Sequence, residues 1–171
     1  MISFRNLSII QNESQMTIRL AVSTSALCLL VVQGCSNEPQ VGDVIGTAED
    51  PITLVAPDDP EMAAAVTKSQ ETISEFIAAL ENPPANANAF AVKKEFVEGD
   101  ESEFMWLTGV AFANGTFTGT LDNDPNMVTN AKIGEQYSVT VDEVQDWLYF
   151  EDGELKGGYS VKLLQQRFEA N

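Results

Sequence analysis

The sequence predicts an α+β domain: an N-terminal amphipathic helix packed on a mainly antiparallel, strongly curved β-sheet, followed by a short C-terminal helix. Three observations predict it. Asp59-Pro60-Glu61 opens a run of apolar residues at a spacing of about 3.6. From Ala89 onward the apolar residues instead alternate with a period of about two between turn signals. The closing stretch Lys162-Leu-Leu-Gln-Gln-Arg-Phe168 is rich in helix formers.

The first helix starts at Asp59, whose carboxylate can accept orphan N–H groups while Pro60 fills the first turn, where its missing N–H costs nothing. Met62, Val66, Ile73, Phe76, Ile77 and Leu80 form one apolar stripe, and Lys68, Glu71 and Glu75 face water. Asn82-Pro83-Pro84 ends the helix, because proline cannot continue the ladder and restricts the residue before it. Phe90 and Val92 then alternate against polar neighbours, and the aromatic run Phe104-Met-Trp-Leu107 to Phe112 continues as strand. Asn114-Gly115 tolerates the positive φ of a tight hairpin, so Thr116–Leu121 pairs back on that run with Phe117, Gly119 and Leu121 on one face.

Residues 122–135 read as a polar loop, and Tyr137, Val139 and Val141 as a further strand. Asp142-Glu-Val-Gln145 suits a single helical turn before a strand from Trp147 to Phe150. Asp152-Gly153 marks a turn, and Tyr159 and Val161 predict a closing strand ahead of the terminal helix.

Ahead of this domain, residues 1–34 are expected to be a lipoprotein signal peptide. Leu20 to Val32 carries no charge, follows Arg19 and ends in Gln33-Gly34-Cys35. At about 13 residues the run is shorter than the ~20 of a membrane-spanning helix. The cut site resembles the lipobox of bacterial lipoproteins, with Val32 three before the cysteine and Gly34 directly before it; Gln33 departs from that pattern. The resemblance implies cleavage before Cys35 and lipid on its thiol. An ordinary buried helix fits less well, since the segment has no polar face and holds Ser and Thr at its centre. Met16 is an alternative start to Met1, giving a compact leader with the basic n-region Met-Thr-Ile-Arg19.

Residues 35–58 then read as a flexible acidic tether, broken by Pro39, Gly42, Gly46, Pro51 and Pro57, in which only Ile52–Val55 has the character of an edge strand. The chain holds 26 acidic and 9 basic residues, a net charge of −17. Residues 1–34 contain Glu13, Arg5 and Arg19, so removing them leaves 25 acidic and 7 basic residues, a net charge of −18. Such a charge repels nucleic acid and anionic lipid surfaces and leaves basic proteins, cations or neutral ligands as partners. Of the two cysteines, Cys28 leaves with the leader and Cys35 takes the lipid, so no disulfide is expected.

Met105-Trp106-Leu107, Gly115-Thr-Phe-Thr-Gly-Thr-Leu-Asp-Asn-Asp-Pro125, Asp146-Trp147-Leu148-Tyr149 and Gly157-Gly158-Tyr159-Ser160 stand in this order along the chain. Together they resemble the YegJ-like bacterial domain of unknown function, family 2314, over roughly residues 89–164. Leu148 and Ser160 stand where that family often has methionine and threonine. The resemblance implies no established activity, substrate, cofactor or catalytic residue.

The residues themselves exclude most catalytic templates. The chain has no histidine, which removes Ser-His-Asp and Cys-His arrangements and His-containing zinc sites, and it carries no nucleotide-binding loop. Asp122-Asn-Asp-Pro-Asn126 begins like a calcium loop, but Met127 and Ile133 occupy the positions that need glycine and a bidentate glutamate. These side chains suit Asx turns better. No metal or cofactor is therefore expected.

The candidate partner surface comprises Trp106, Asp122, Asn123, Asp124, Asp146, Trp147, Tyr149 and Tyr159, large amphipathic rings with polar neighbours. Aromatics at alternating strand positions more often pack in the core. Trp147 beside Asp146 is the best exception, since one strand can bury the ring and present the carboxylate outward.

The expected function is a non-enzymatic binding or accessory lipoprotein of the cell envelope, held at the membrane through Cys35. Its charge would suit an inhibitor- or immunity-like role toward a basic envelope protein. The alternative is a carboxylate-dependent hydrolase acting on peptidoglycan. Ser36 lacks the aspartate that retains Gram-negative lipoproteins at the inner membrane, which points to the periplasmic face of the outer membrane.

Overall fold

A computed structural model of the chain describes residues 2–5, 44–46, 51–56 and 58–170. In chain order the elements are β1 (Ile2–Arg5), β2 (Val44–Gly46), β3 (Pro51–Val55), α1 (Pro60–Glu81), β4 (Ala87–Glu98), β5 (Glu101–Ala113), β6 (Thr116–Leu121), β7 (Gln136–Thr140), a single 3-10 turn (Val141–Glu143), β8 (Asp146–Glu151), β9 (Glu154–Gly157) and α2 (Tyr159–Glu169). Strands β4 to β9 form an antiparallel ladder in the order β9-β8-β4-β5-β6-β7, and the sheet does not close. This is the α+β arrangement the sequence predicts.

α1 begins where its capping chemistry requires: Asp59 Oδ1 accepts from Glu61 N at 3.0 Å and Met62 N at 3.1 Å. Its buried side, through Ile73 and Phe76, meets Val92, Phe96, Met105, Leu107, Phe117, Leu121 and Trp147 in the main core. The loop after β6 closes part of that core with Val128 and Ala131.

Alternation along β4, β5 and β8 sorts the intervening residues onto the other face. There Ala91, Trp106 and Leu148 pack with Val161 of α2. Val55, Met62, Phe104 and Leu164 form a further cluster that ties the two helices to β3 and β5. The middle strands are thus covered on both faces.

Two expectations change. The closing strand predicted at Tyr159 and Val161 is the first turn of α2; the strand before it is Glu154–Gly157. The chain turns from strand to helix at Gly157 and Gly158, with φ of 65° and 61°. Val141 lies in the 3-10 turn rather than in β7.

Inside residues 35–58 the structure describes β2 and β3. Leu54 and Val55 are buried, and β3 pairs with β2 on one side and β1 on the other. β1 pairs in parallel with β5 at Ser102–Phe104 and antiparallel with β3, and it falls inside the segment expected to be cleaved. The pairings from β4 to β9 run among those six strands themselves. Met16, the apolar run from Leu20 to Val32 and Cys35 lie outside the described residues.

Candidate functional site

Lys93 sits in the middle of β4, and alternation directs its side chain to the face shared with Trp106 of β5 and Asp146 of β8. All three are fully buried. Lys93 Nζ donates to Ser160 Oγ at 3.0 Å and lies 4.6 Å from the centre of the Trp106 ring. Ser160, one residue inside α2, donates from its hydroxyl to Asp146 Oδ2 at 2.6 Å and from its backbone N–H to the same oxygen at 2.8 Å. Asp146 Oδ1 accepts from Trp147 N at 2.8 Å and Tyr159 N at 3.2 Å.

A carboxylate, an ammonium and a hydroxyl thus share one buried compartment. Burial drives the Lys93 ammonium down to about 8, against the opposing pull of the Asp146 charge. Burial likewise raises Asp146, opposed by Lys93 and by the hydrogen bonds from Ser160 and Trp147. Chemically the set resembles a serine beside a general base. Its location does not favour that role, since Ser160 is 1 % exposed and packs beneath the first turn of α2.

The arrangement does cap a helix. Gly158 occupies the N-cap of α2 and has no side chain to accept its first N–H groups. Asp146, distant in sequence, accepts two of them.

The neighbouring motif residues close the same corner from the other side. Trp147 packs edge-on against Tyr159 at 5.8 Å and donates from Nε1 to Ser69 O at 3.1 Å, while the Tyr159 hydroxyl pairs with Thr72 Oγ1 at 2.9 Å. Asn123 is buried and accepts from Trp106 N at 2.8 Å, standing in for a backbone carbonyl where β6 has ended. Glu103, also buried, accepts from Asn126 N and Met127 N, each at 2.9 Å, and so holds the loop after β6 on β5.

The eight residues of the candidate surface therefore do not make one face. Trp106, Asn123, Asp146 and Trp147 are interior, Tyr149 and Tyr159 are half-buried, and Asp122 and Asp124 are exposed. Asp146 does face away from Trp147 as strand alternation requires, but that face is covered too. Tyr149 stacks on Phe90 at 4.8 Å. Among the described residues no three His, Cys, Asp or Glu side chains are placed to share a metal ion.

Sequence reasoning missed Lys93 as an interior group, since a lysine opposite Val92 in strand register reads as solvated. No local signal marks it, because Lys93 meets the Trp106 ring only through the pairing of β4 with β5, where an aromatic ring can shelter an ammonium.

An open α+β sheet with a helix on each side of its central strands, closed at one corner by a buried Lys-Asp-Ser set, defines the class of domain. A family model described as an uncharacterised protein conserved in bacteria (DUF2314) matches residues 59–171, and the chain belongs to that family. It is 31% identical to the uncharacterised protein YegJ of Escherichia coli (strain K12) over 104 residues, covering 61% of this chain and 67% of that protein. It is also 31% identical over 68 residues to the putative ankyrin repeat protein NMB1133/NMB1171 of Neisseria meningitidis serogroup B (strain ATCC BAA-335 / MC58), covering 40% of this chain and 27% of the relative. No solved structure matches the chain. Among the described residues no helix is long and apolar enough to cross a membrane.

Proposed function

We propose that this member of the family is a non-catalytic binding domain of the bacterial cell envelope, anchored by lipid on Cys35, whose acidic surface receives a basic protein. One observation carries the reading: the most reactive grouping of side chains, Lys93, Asp146 and Ser160, is spent inside the fold on capping α2. The family motifs around it serve packing in the same way. The net charge of −17 supports a basic partner, because electrostatic steering raises encounter rates with opposite charge. An inhibitor- or immunity-like role toward a basic toxin or hydrolase falls within this reading, with the protein at the periplasmic face of the outer membrane.

Two measurements test it. Intact mass and membrane partitioning of the wild type and Cys35→Ala should show an acylated chain starting at Cys35 that the variant lacks; a soluble, unacylated wild type would remove the envelope assignment. Capture from envelope extract should retain a basic protein at low salt and release it at high salt. Turnover of peptidoglycan fragments by the purified protein would instead favour the carboxylate-dependent hydrolase.

A further inference from the structure

The two ends of the ladder from β4 to β9 are built differently. β9 carries Glu154 and Lys156, paired at 3.0 Å, with Lys156 also 3.8 Å from Glu151. Charges of this kind blunt an edge against a further strand. β7, at the other end, reads Gln136-Tyr-Ser-Val-Thr140, with no charge, proline or glycine, and its register to β6 runs without a bulge.

The direction of its free backbone groups follows from the ladder. Val141 N donates to Gly115 O, and Glu135 O accepts from Leu121 N, so Tyr137 and Val139 between them turn their N–H and C=O toward β6. By the alternation of an antiparallel pair, Gln136, Ser138 and Thr140 turn theirs outward. Glu143 takes Thr140 N at 3.1 Å, which ends the edge there. The outward groups of Gln136 and Ser138 meet no further strand among the described residues, and both side chains are exposed. Exposed carboxylates stand at both ends of this stretch, Glu135 before it and Asp142 and Glu143 after it.

We propose that the open edge of β7 receives an extended segment of a protein partner by strand addition, uncharged opposite Gln136–Ser138 and basic at both ends. The inference rests on the binding-domain reading and gives that reading a place on the molecule. Main-chain hydrogen bonds supply the attachment, and the flanking carboxylates supply selection for lysine or arginine. A second copy fits poorly. Antiparallel self-pairing about Ser138 would set the Glu135 carboxylate of each copy beside the Val141-Asp142 end of the other, between chains that each carry −17.

The probe is the peptide Lys-Lys-Thr-Val-Thr-Val-Thr-Lys-Lys added to the full chain, read by amide hydrogen exchange and by titration. The expected result is selective slowing of exchange at the Gln136 and Ser138 amides, with affinity that falls as salt rises. Ser138→Pro removes one outward donor where proline is tolerated, and affinity should drop about tenfold while circular dichroism is unchanged. Should that variant fail to fold, a peptide with proline for its central threonine takes its place and must bind the wild type about tenfold more weakly. A glutamate-flanked peptide should not bind. Unchanged exchange at Gln136 and Ser138, or equal affinity for the proline forms, overturns the edge as the docking place. A basic envelope protein captured equally by wild type and Ser138→Pro overturns the edge and leaves the binding reading standing; capture of none removes the reading itself.

Discussion

The Asp146 carboxylate receives both the backbone N–H and the hydroxyl of Ser160 on one oxygen, at 2.8 and 2.6 Å. It thereby supplies from β8 the cap that Gly158 cannot supply from within the chain leading into α2. The same carboxylate lies in the field of the Lys93 ammonium. Truncating it removes a helix cap and takes a negative charge away from the buried Lys93 ammonium. Asp146→Ala is expected to cost about 3–5 kcal/mol, the range for breaking a buried charge pair from one side. Urea unfolding of Asp146→Ala, Lys93→Met and the double variant checks this: the double variant should be less destabilised than the two single costs added together.

Lys93 makes stability depend on pH above neutrality. Its pKa is about 8 in the folded protein and 10.5 in the unfolded reference, so between those values the unfolded chain holds more protons. Stability from this group therefore rises with pH across that window and is flat below it. Subtracting the urea stability of Lys93→Met from that of the wild type at each pH isolates the effect. The difference should move in favour of the wild type from about pH 8 toward 10.5; a difference that stays level would mean Lys93 keeps its proton.

How much of this was legible in the sequence depends on which face of the sheet is considered. Asp59, Pro60 and Asn82 bound α1 through interactions within a few residues, and Asn114-Gly115 makes its hairpin locally, with Asn114 at φ 50° and Gly115 at φ 78°. Those signals need no knowledge of the rest of the chain. Lys93, Asp146 and Ser160 are different. A period of two distinguishes the two faces of a strand but assigns polar residues to water by default, and here their face is covered by Trp106 and α2. The start of α2 was hidden for a related reason: Tyr159 and Val161 alternate like a strand, while the cap that starts the helix lies on β8.

Arg167 joins the last turn of α2 to the start of α1, with Nη1 at 2.6 Å from Asp59 Oδ2 and Nη2 at 2.9 Å from Oδ1. This fork, together with the N–H groups of Met62 and Glu61, holds Asp59 at about 2, below its ordinary 3.8. A carboxylate lowered on folding contributes stability above its unfolded pKa and loses it as pH falls through the folded value. The contribution should be present above pH 3.8 and disappear toward pH 2. Partial exposure of both groups screens it to about 1 kcal/mol. Acid titration of stability for the wild type and Arg167→Ala should show the wild-type advantage shrinking across this window; a constant gap would assign the loss in the variant to packing.

Gly157 provides the sharpest test of how the corner is assembled. A Cβ there would stand 2.2 Å from Trp147 O and 2.4 Å from Trp147 Cε3, at a φ of 65° that side chains resist. Neither neighbour can yield. The Trp147 carbonyl accepts from Gly158 N at 2.7 Å, and its indole is fixed by Ser69 O and the Tyr159 ring. Gly119 is a milder case, because its nearest neighbour at 2.9 Å is the Val110 Cγ1 methyl, although Thr108 O follows at 3.0 Å. Gly119→Ala should therefore cost about 1–3 kcal/mol, the usual range for overpacking, and Gly157→Ala more than about 3 kcal/mol. Urea midpoints and near-ultraviolet circular dichroism of the tryptophans measure both. If Gly157→Ala kept the wild-type tryptophan signal and midpoint, the close approach of Trp147 to the start of α2 would not be what fixes this corner.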